Sequence, residues 1–552
     1  MASDLDRKFD EAFAAVTGPG GRVVIDQDSK GRAIVANFPG TLPAFFNAFC
    51  ALNAATPAVI TADERLTFAE INDWSDRLAR ALVVRGVAKG DRVAIAMRNC
   101  PSWIVAYMGI AKAGGVATLL NGWWLAHELQ HALALAEPAL IIADEARAAR
   151  MRAGGCTIPS VSLDVDSPLE QALAPLLEDE AEAELPQVGP EDPATLLFTS
   201  GSTGEAKGAL SSHRAVTTGV YVFAIGLMTL KYILESEGRP PPNPPRTLVS
   251  VPLFHVTGEV PVMLNSFVIG RGMVLMAKWD AGDALRLIEK EKVTYFIGVP
   301  TMSLEMMTHP DREKYDLSSL TDIAAGGAPR PVSHVERLRA AFDKAQPALG
   351  YGLTETNAAG CMNFWSNYAD KPASTGRPVR PLVEIAILGE QDRHLPSGET
   401  GEIAIRSAAN VEGYWRDPEA TRATFTDAGF MRTGDLGYLD EDGYLFIVDR
   451  KKDIIIRGGE NISAVEVEAA CYALPDVAEV AVFGAPDERL GEVPVAVVHG
   501  RGGLDEQQLR AFLQSRIAAF KIPPRMIFSE APLPRLGTGK IDRVALKAKH
   551  SA

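Results

Sequence analysis

Cysteine is scarce in this chain: five stand among 552 residues (Cys50, Cys100, Cys156, Cys361 and Cys471), scattered and never in CxxC spacing. An odd, dispersed set excludes a disulfide framework and a thiolate metal cluster. Positive charge is short as well, with 55 Lys and Arg against 70 Asp and Glu and a formal balance of -15. A sequence-blind nucleic-acid binder needs clustered basic side chains against phosphate, so that class is set aside. The opening MASDLDRKFDEAF carries acids and no apolar signal region. The apolar stretch from Leu248 to Met276 is broken by Pro252, His255, Glu259, Pro261, Asn265 and Arg271, which excludes it as a bilayer span. The expectation is a soluble cytoplasmic protein with no transmembrane segment and no nucleic-acid partner.

What is present is the material of a large core, with 47% hydrophobic and 23% charged residues. From Asp91 onward short apolar runs alternate with helical patterns: RVAIAM, a helix over Trp103 to Lys112, VATLL, a helix after Leu125, then ALIIAD. The alternation returns as a helix over Asp283 to Lys290, the strand VTYFIGV at Val293 to Val299, and IAAGGAP at Ile323 to Pro329. Strands separated by helices predict crossovers onto mostly parallel sheets, hence an α/β body. EDEAEAELP (Glu178 to Pro186) and GRPPPNPPR (Gly238 to Arg246) read as surface connections. After LFIVDRKKDIII (Leu445 to Ile456) the texture changes to a small α+β unit. Ser463 and Glu466 there have capping-box spacing, VAEVAVFG is strand-like, and Leu509, Phe512, Leu513 and Ile517 mark one helix face.

The densest chemical signal is LLFTSGSTGEAKG (Leu196 to Gly208), where an apolar strand runs into glycines and hydroxyls closed by Lys207. Glycines let backbone amides approach an anion, hydroxyls donate to its oxygens, and lysine adds a mobile charge. The spacing is not that of a Walker A loop, which counted from Gly201 would need Gly at 206 and Ser or Thr at 208, where this chain has Ala206 and Gly208.

Further motifs follow in order: PLFHVTG (Pro252 to Gly258), AAGGAP (Ala324 to Pro329), LGYGLTET (Leu349 to Thr356), RTGD (Arg432 to Asp435), DRKKDIIIRGGENIS (Asp449 to Ser463) and PRLGTGKIDR (Pro534 to Arg543). With this set the chain strongly resembles the adenylate-forming superfamily, in its acyl-CoA synthetase branch. The resemblance implies a large N-terminal domain over 1–449 with mixed parallel sheets and flanking helices, and a small mobile α+β lid over 450–552 that pivots near Lys452. It implies ATP, Mg²⁺ and coenzyme A as cofactors and co-substrates, and attack of a carboxylate on the α-phosphate followed by transfer of the acyl group to a thiol.

The roles carried by the resemblance fall on named residues. Thr199, Ser200, Gly201, Ser202, Thr203, Gly204 and Lys207 would hold the β- and γ-phosphates, Thr354 the α-phosphate, and Glu355 the Mg²⁺. Gly327, Ala328, Pro329, Gly350, Tyr351 and Gly352 would form the adenine slot, while Asp435 would take the ribose hydroxyls and Arg450 a second nucleotide contact. Lys540 would bridge the carboxylate and the charge developing on the α-phosphate in the first step. Gly458 and Gly459 would line the thioester site. His255, Val256, Gly258, Phe296, Val299 and Gly326 would form the acyl pocket, with His255 beside the carboxylate.

No aspartate stands in PLFHVTG to pair with a substrate ammonium, so an amine-free acid is expected, either a medium or long fatty chain or an aryl acid. No carrier domain follows Lys540, which favours free coenzyme A over a carrier protein as acceptor. The partners are therefore small molecules, with a homodimer the one protein partner carried forward. HELQH (His127 to His131) matches the zinc-peptidase string, with Glu145 as an imaginable third ligand, and makes a zinc hydrolase the competing class.

Overall fold

The computed structural model describes residues 3–177, 182–200, 206–327, 330–342, 344–458, 460–536 and 539–550. Among them the body is an α/β arrangement of two large sheets. The first has seven strands in the order Gly413–Tyr414, Ala206–Ser212, Pro193–Ser200, Val116–Leu119, Arg92–Ala96, Leu140–Asp144 and Ser160–Leu163. The second has nine, with Cys361–Phe364, Gln346–Tyr351, Asp322–Ala325, Tyr295–Gly298 and Arg246–Val249 at its working side. Strands such as Val116–Leu119 and Leu140–Asp144 are buried at every position, as parallel strands covered on both faces must be. Their continuous apolar runs are the reason the sequence reads as α/β.

Helix His213–Ser236 packs into the main core of the body. It is long and apolar enough to cross a membrane, a feature that inspection of the Leu248–Met276 stretch passes over, but 72% of its apolar window is buried inside the protein. Helix Pro101–Lys112 is buried along almost its whole length. Its Lys112 ammonium is satisfied by Asp76 at 2.6 Å. The N-terminal helix Asp4–Thr17 starts in a complete capping box between Ser3 and Asp6 and lies against His213–Ser236.

The chain leaves a four-stranded antiparallel sheet at Arg450 and turns, the Asp453 N–H donating to the Arg450 carbonyl at 2.9 Å. At Ile455 it enters a separate five-stranded sheet covered by helices Ala464–Tyr472, Glu506–Gln514 and Arg543–His550, with its own core around Val467, Cys471, Leu509 and Leu513. The capping spacing at Ser463 is half realised. Its hydroxyl accepts from the Glu466 N–H at 3.1 Å, whereas the Glu466 carboxylate goes to Lys521 at 2.7 Å instead of closing the box. This small unit touches the body through Ser333 Oγ, which donates to the Tyr472 carbonyl at 3.2 Å, and Arg535 Nη1, which donates to Thr301 Oγ1 at 2.7 Å.

Candidate functional site

The described parts of the phosphate motif are two paired strands. Strands Pro193–Ser200 and Ala206–Ser212 pair antiparallel, with Thr199 opposite Lys207. Gly201, Ser202, Thr203 and Gly204 lie outside the described residues, as do Ala328, Pro329 and Gly459 and the side chain of Ser200. The Lys207 ammonium stands 3.6 Å from Asp417 and 5.1 Å over the Tyr414 ring, loose partners that a polyphosphate can displace.

Across from this strand pair, strands Asp322–Ala325 and Gln346–Tyr351 run parallel and end together. Backbone sterics dictate the glycines at their ends. A Cβ on Gly352 would sit 2.1 Å from the Ala358 carbonyl oxygen, and Gly327 has a φ of +75° that disfavours any other residue. The turn Thr354–Thr356 that follows is fixed by Asn357 and Ala358, both with positive φ. It places Glu355 against Tyr414, whose hydroxyl donates to Oε1 at 2.8 Å. One partly engaged carboxylate fits Mg²⁺, which would take one or two carboxylates together with substrate phosphates and keep several waters.

Tyr351, Asp435 and Arg450 form one cluster. The tyrosine hydroxyl donates to Asp435 Oδ2 at 2.7 Å and the Arg450 guanidinium lies 3.4 Å from Oδ1. Burial raises the Asp435 carboxyl above its ordinary range, with the Arg450 charge opposing that rise. Paired Cα positions on adjacent strands, Asp435 opposite Arg450, hold the two side chains at one level.

Lys540 comes into this cluster from the small unit. A Cβ added to Gly327 would lie 3.4 Å from its Nζ, so the lysine rests directly on that glycine. Burial, reinforced by the Arg450 charge and opposed by Asp435, lowers its ammonium to about 8. His255 shares the environment. Burial and then the Lys540 charge push it down to about 3, keeping the ring neutral, and its Nδ1 accepts from the Thr257 N–H at 3.2 Å. That bond leaves the proton on Nε2. Arg535 and Gly539, on the same segment of the small unit, pack on Thr301 and Val299 of the body.

From Gly326 and Gly327 a cavity runs back along the sheet. Strand register builds its floor in rungs: Gly326, Gly350 and Met362 nearest Lys540, then Ile297, Ala324, Ala348 and Phe364, then Tyr295 and Asp322. Gly326 lies four strand steps from Asp322, so the floor is about 13 Å long at the strand rise. Phe223 and Leu227 of helix His213–Ser236, with Thr257 and Pro261, line it as well.

Several expected pocket residues sit elsewhere. Phe296 points to the opposite face of its strand, against Trp279, and Val299 belongs to that same second core. Val256 is buried in the main core, and Gly258 is required by packing, since a Cβ there would lie 2.1 Å from the Pro252 carbonyl oxygen. Gly326 lines the cavity as expected, Thr257 and Ile297 line it from within the expected stretches His255 to Gly258 and Phe296 to Thr301, and Ala324 and Ala348 escape sequence reasoning. The one signal for the lining face is alternation: Ile297 and Tyr295 share a strand face that excludes Phe296.

Gly458 has a φ of +60° and donates its N–H to the Leu490 carbonyl at 2.7 Å, so the Ile455–Ile462 hairpin is braced on the small sheet. Lys452 is exposed in the connecting turn.

HELQH has a structural occupation. Glu128 accepts from the Leu125 N–H at 2.7 Å as a helix cap, and His131 Nε2 contacts the Ala206 carbonyl at 3.2 Å. Glu145 is held by Arg152 at 2.5 Å and Ser162 at 2.7 Å. Among the described residues no group of His, Cys, Asp and Glu is arranged to hold a metal ion, which removes the geometric basis for a zinc hydrolase.

Comparison with known proteins agrees with this geometry. Residues 46–415 match the model of the AMP-binding enzyme family and 466–540 that of the AMP-binding enzyme C-terminal domain. The chain is similar to a long-chain-fatty-acid–CoA ligase of Bacillus subtilis, 34% identical with 87% of this chain and 89% of the relative covered. It is 35% identical to a feruloyl-CoA synthase of Amycolatopsis, with 86% and 92% covered. Among solved structures, ATP-bound MatB from Rhodopseudomonas palustris superposes with a TM-score of 0.79 at 29% identity over 92% of this chain and 99% of that one. The chain belongs to the AMP-binding enzyme family, in the adenylate-forming superfamily.

Proposed function

We propose that this chain is an AMP-forming acid:CoA ligase whose two half-reactions share the strand-end site. In the first, a carboxylate oxygen attacks the α-phosphorus of ATP, the bond to the bridging β-oxygen breaks, and pyrophosphate leaves. In the second, the coenzyme A sulfur attacks the acyl carbonyl, AMP departs, and the thiol proton is released.

The barrier of the first step is largely repulsion between anions, so cations and fixed donors lower it. Lys207 and the residues Thr199 to Gly204 hold the β- and γ-phosphates, Thr354 donates to the α-phosphate, and Lys540 binds the carboxylate and the α-phosphate together. Glu355 is the residue that would hold Mg²⁺, which supplies charge neutralisation on the phosphates. Asp435 and Arg450 fix the ribose, with Tyr351, Gly350, Gly352 and residues Gly327, Ala328 and Pro329 forming the adenine slot. Neutral His255 presents its Nε2–H beside the carboxylate. The boundary near Arg450 makes 450–552 the lid, which turns about Lys452 after adenylation so that Lys540 withdraws and Gly458 and Gly459 meet pantetheine. The acid is a fatty or aryl one, matched to a cavity floored by Ala324, Ala348, Gly326 and Gly350. Five unpaired cysteines fit a reducing, cytoplasmic setting.

The observation that carries this reading is the position of Lys540, a lid residue laid on Gly327 where the acid cavity meets the Tyr351–Asp435–Arg450 cluster. Its test is pyrophosphate release from Mg²⁺ and ATP across fatty and aryl acids, with and without coenzyme A. Acid-dependent release that turns over only with coenzyme A is expected. A single burst that coenzyme A never accelerates would assign the acceptor to a carrier protein, and release with no acid would contradict the assignment.

A further inference from the structure

The far end of the acid cavity is polar, although its floor is not. Beyond the small rungs stand Tyr295 and Asp322, directly paired on adjacent strands, and Asn265 lines the same cavity. Asn265 is 1% exposed, and its Oδ1 has no hydrogen-bond partner in the structure. A buried acceptor left unsatisfied is costly, and here it lines an open space.

The neighbouring groups are set by backbone events. Helix Gly258–Leu264 is a π-helix, whose wide turn frees carbonyls that an α-helix would bond. Arg271 fills them, donating to the Pro261 and Val262 oxygens at 2.9 and 3.0 Å and to Ser266 Oγ at 3.0 Å. The amide nitrogen of Asn265 turns to the same Pro261 oxygen at 3.5 Å, which leaves Oδ1 facing away. The Arg271 guanidinium also lies 4.8 Å from the Tyr295 ring centre. Asp322 accepts from Trp365 Nε1 at 2.9 Å and from Thr321 Oγ1 at 2.7 Å, so one lone pair on each oxygen remains.

We propose that the acid activated here carries a hydroxyl group at the end distal to its carboxylate, received by Asn265 and by the Tyr295–Asp322 pair about 13 Å from Gly326. This inference rests on the ligase reading and names the substrate class within it. A hydroxyl satisfies both sides of the rung, giving its proton to Asn265 Oδ1 or Asp322 and accepting from the Tyr295 phenol, which burial keeps protonated. A methyl end leaves Oδ1 without a donor. A second carboxylate brings no donor and meets the Asp322 charge. A distal ammonium has no lone pair with which to accept from the Tyr295 phenol. Asn265, Tyr295 and Asp322 are thus specificity residues, remote from the reacting atoms.

The experiment compares kcat/KM for thioester formation between matched acids: ω-hydroxy and plain fatty acids over a series of lengths, and para-hydroxylated and plain aryl acids. At one length or ring size the hydroxylated acid is expected to win by at least about tenfold, because a site built to bond a hydroxyl rejects the analogue that lacks it. Asn265→Leu should erase that preference, so that hydroxylated and plain acids of one length become equal substrates. Tyr295→Phe, which keeps the ring over Arg271, should reduce it several-fold in a folded enzyme. Plain acids equal to or better than their hydroxylated partners at every length, in an enzyme that turns over, would overturn the hydroxyl assignment and leave the ligase reading standing. An enzyme that released pyrophosphate with neither set would sink both.

Discussion

The two ends of the site are built differently. At the end we propose for the nucleotide, a few contiguous segments each bring several functional groups: the paired strands bearing Thr199 and Lys207, the turn at Thr354 and Glu355, and the Asp435–Arg450 strand pair. At the acid end, no segment supplies a cluster. Each strand contributes one side chain per rung, as Ile297, Ala324, Ala348 and Phe364 do in the middle one. A chemistry common to many acids needs a fixed constellation, whereas selectivity among acids is a matter of which volumes and dipoles line a strand face. Single changes should therefore abolish function at one end and redirect it at the other.

The largest effect should come from Gly352→Ala. Its Cβ would lie 2.1 Å from a backbone oxygen that cannot move without displacing the turn bearing Glu355. Pyrophosphate release should be lost with every acid, and a variant with wild-type activity would show that the turn bearing Glu355 is not rigid. Asp435→Ala comes next. It removes a carboxylate bonded to Tyr351 and Arg450, and hydrogen bonds to a charged group contribute about 1.5–3 kcal/mol, so kcat/KM for ATP should fall about tenfold to a hundredfold, uniformly over acids.

Acidity sets a third, graded effect. With the Lys540 ammonium lowered to about 8, raising the pH through that value removes the proton and the charge that binds the two anions. The kcat/KM of pyrophosphate release should therefore decline above pH 8 by about tenfold per unit, as free-enzyme ionisations do in such profiles. A profile flat to pH 10 would contradict the burial of this lysine. The smallest change in overall activity belongs to the acid end. Ala324→Leu fills the middle rung, so bulky or long acids should lose kcat/KM while short acids and ATP keep theirs; equal losses across all acids would erase the contrast between the two ends.

The same contrast explains what was legible in the sequence. The α/β body, the small α+β unit and the resemblance to adenylate-forming enzymes could be read because contiguous strings carry them, from LLFTSGSTGEAKG to PRLGTGKIDR. The acid pocket could not be read in that way. VTYFIGV is apolar on both strand faces, since Phe296 fills one core and Ile297 lines the cavity, so no alternation of polarity tells which face meets the substrate. The partnerless oxygen of Asn265 was equally hidden, because it depends on a π-helical turn that composition does not announce. HELQH shows the reverse error, a contiguous string whose glutamate caps a helix and whose histidine contacts a strand.

The central claim is that one lid residue, Lys540, serves the first half-reaction and must leave for the second. Measuring the two half-reactions separately in Lys540→Ala tests it most directly. Loss of a preorganised electrostatic contact of this kind lowers rates about 10²- to 10³-fold, so acyl-adenylate formation should collapse by that order. Conversion of supplied acyl adenylate and coenzyme A to thioester should proceed near the wild-type rate. Equal loss of both half-reactions, or full retention of the first, would contradict the account.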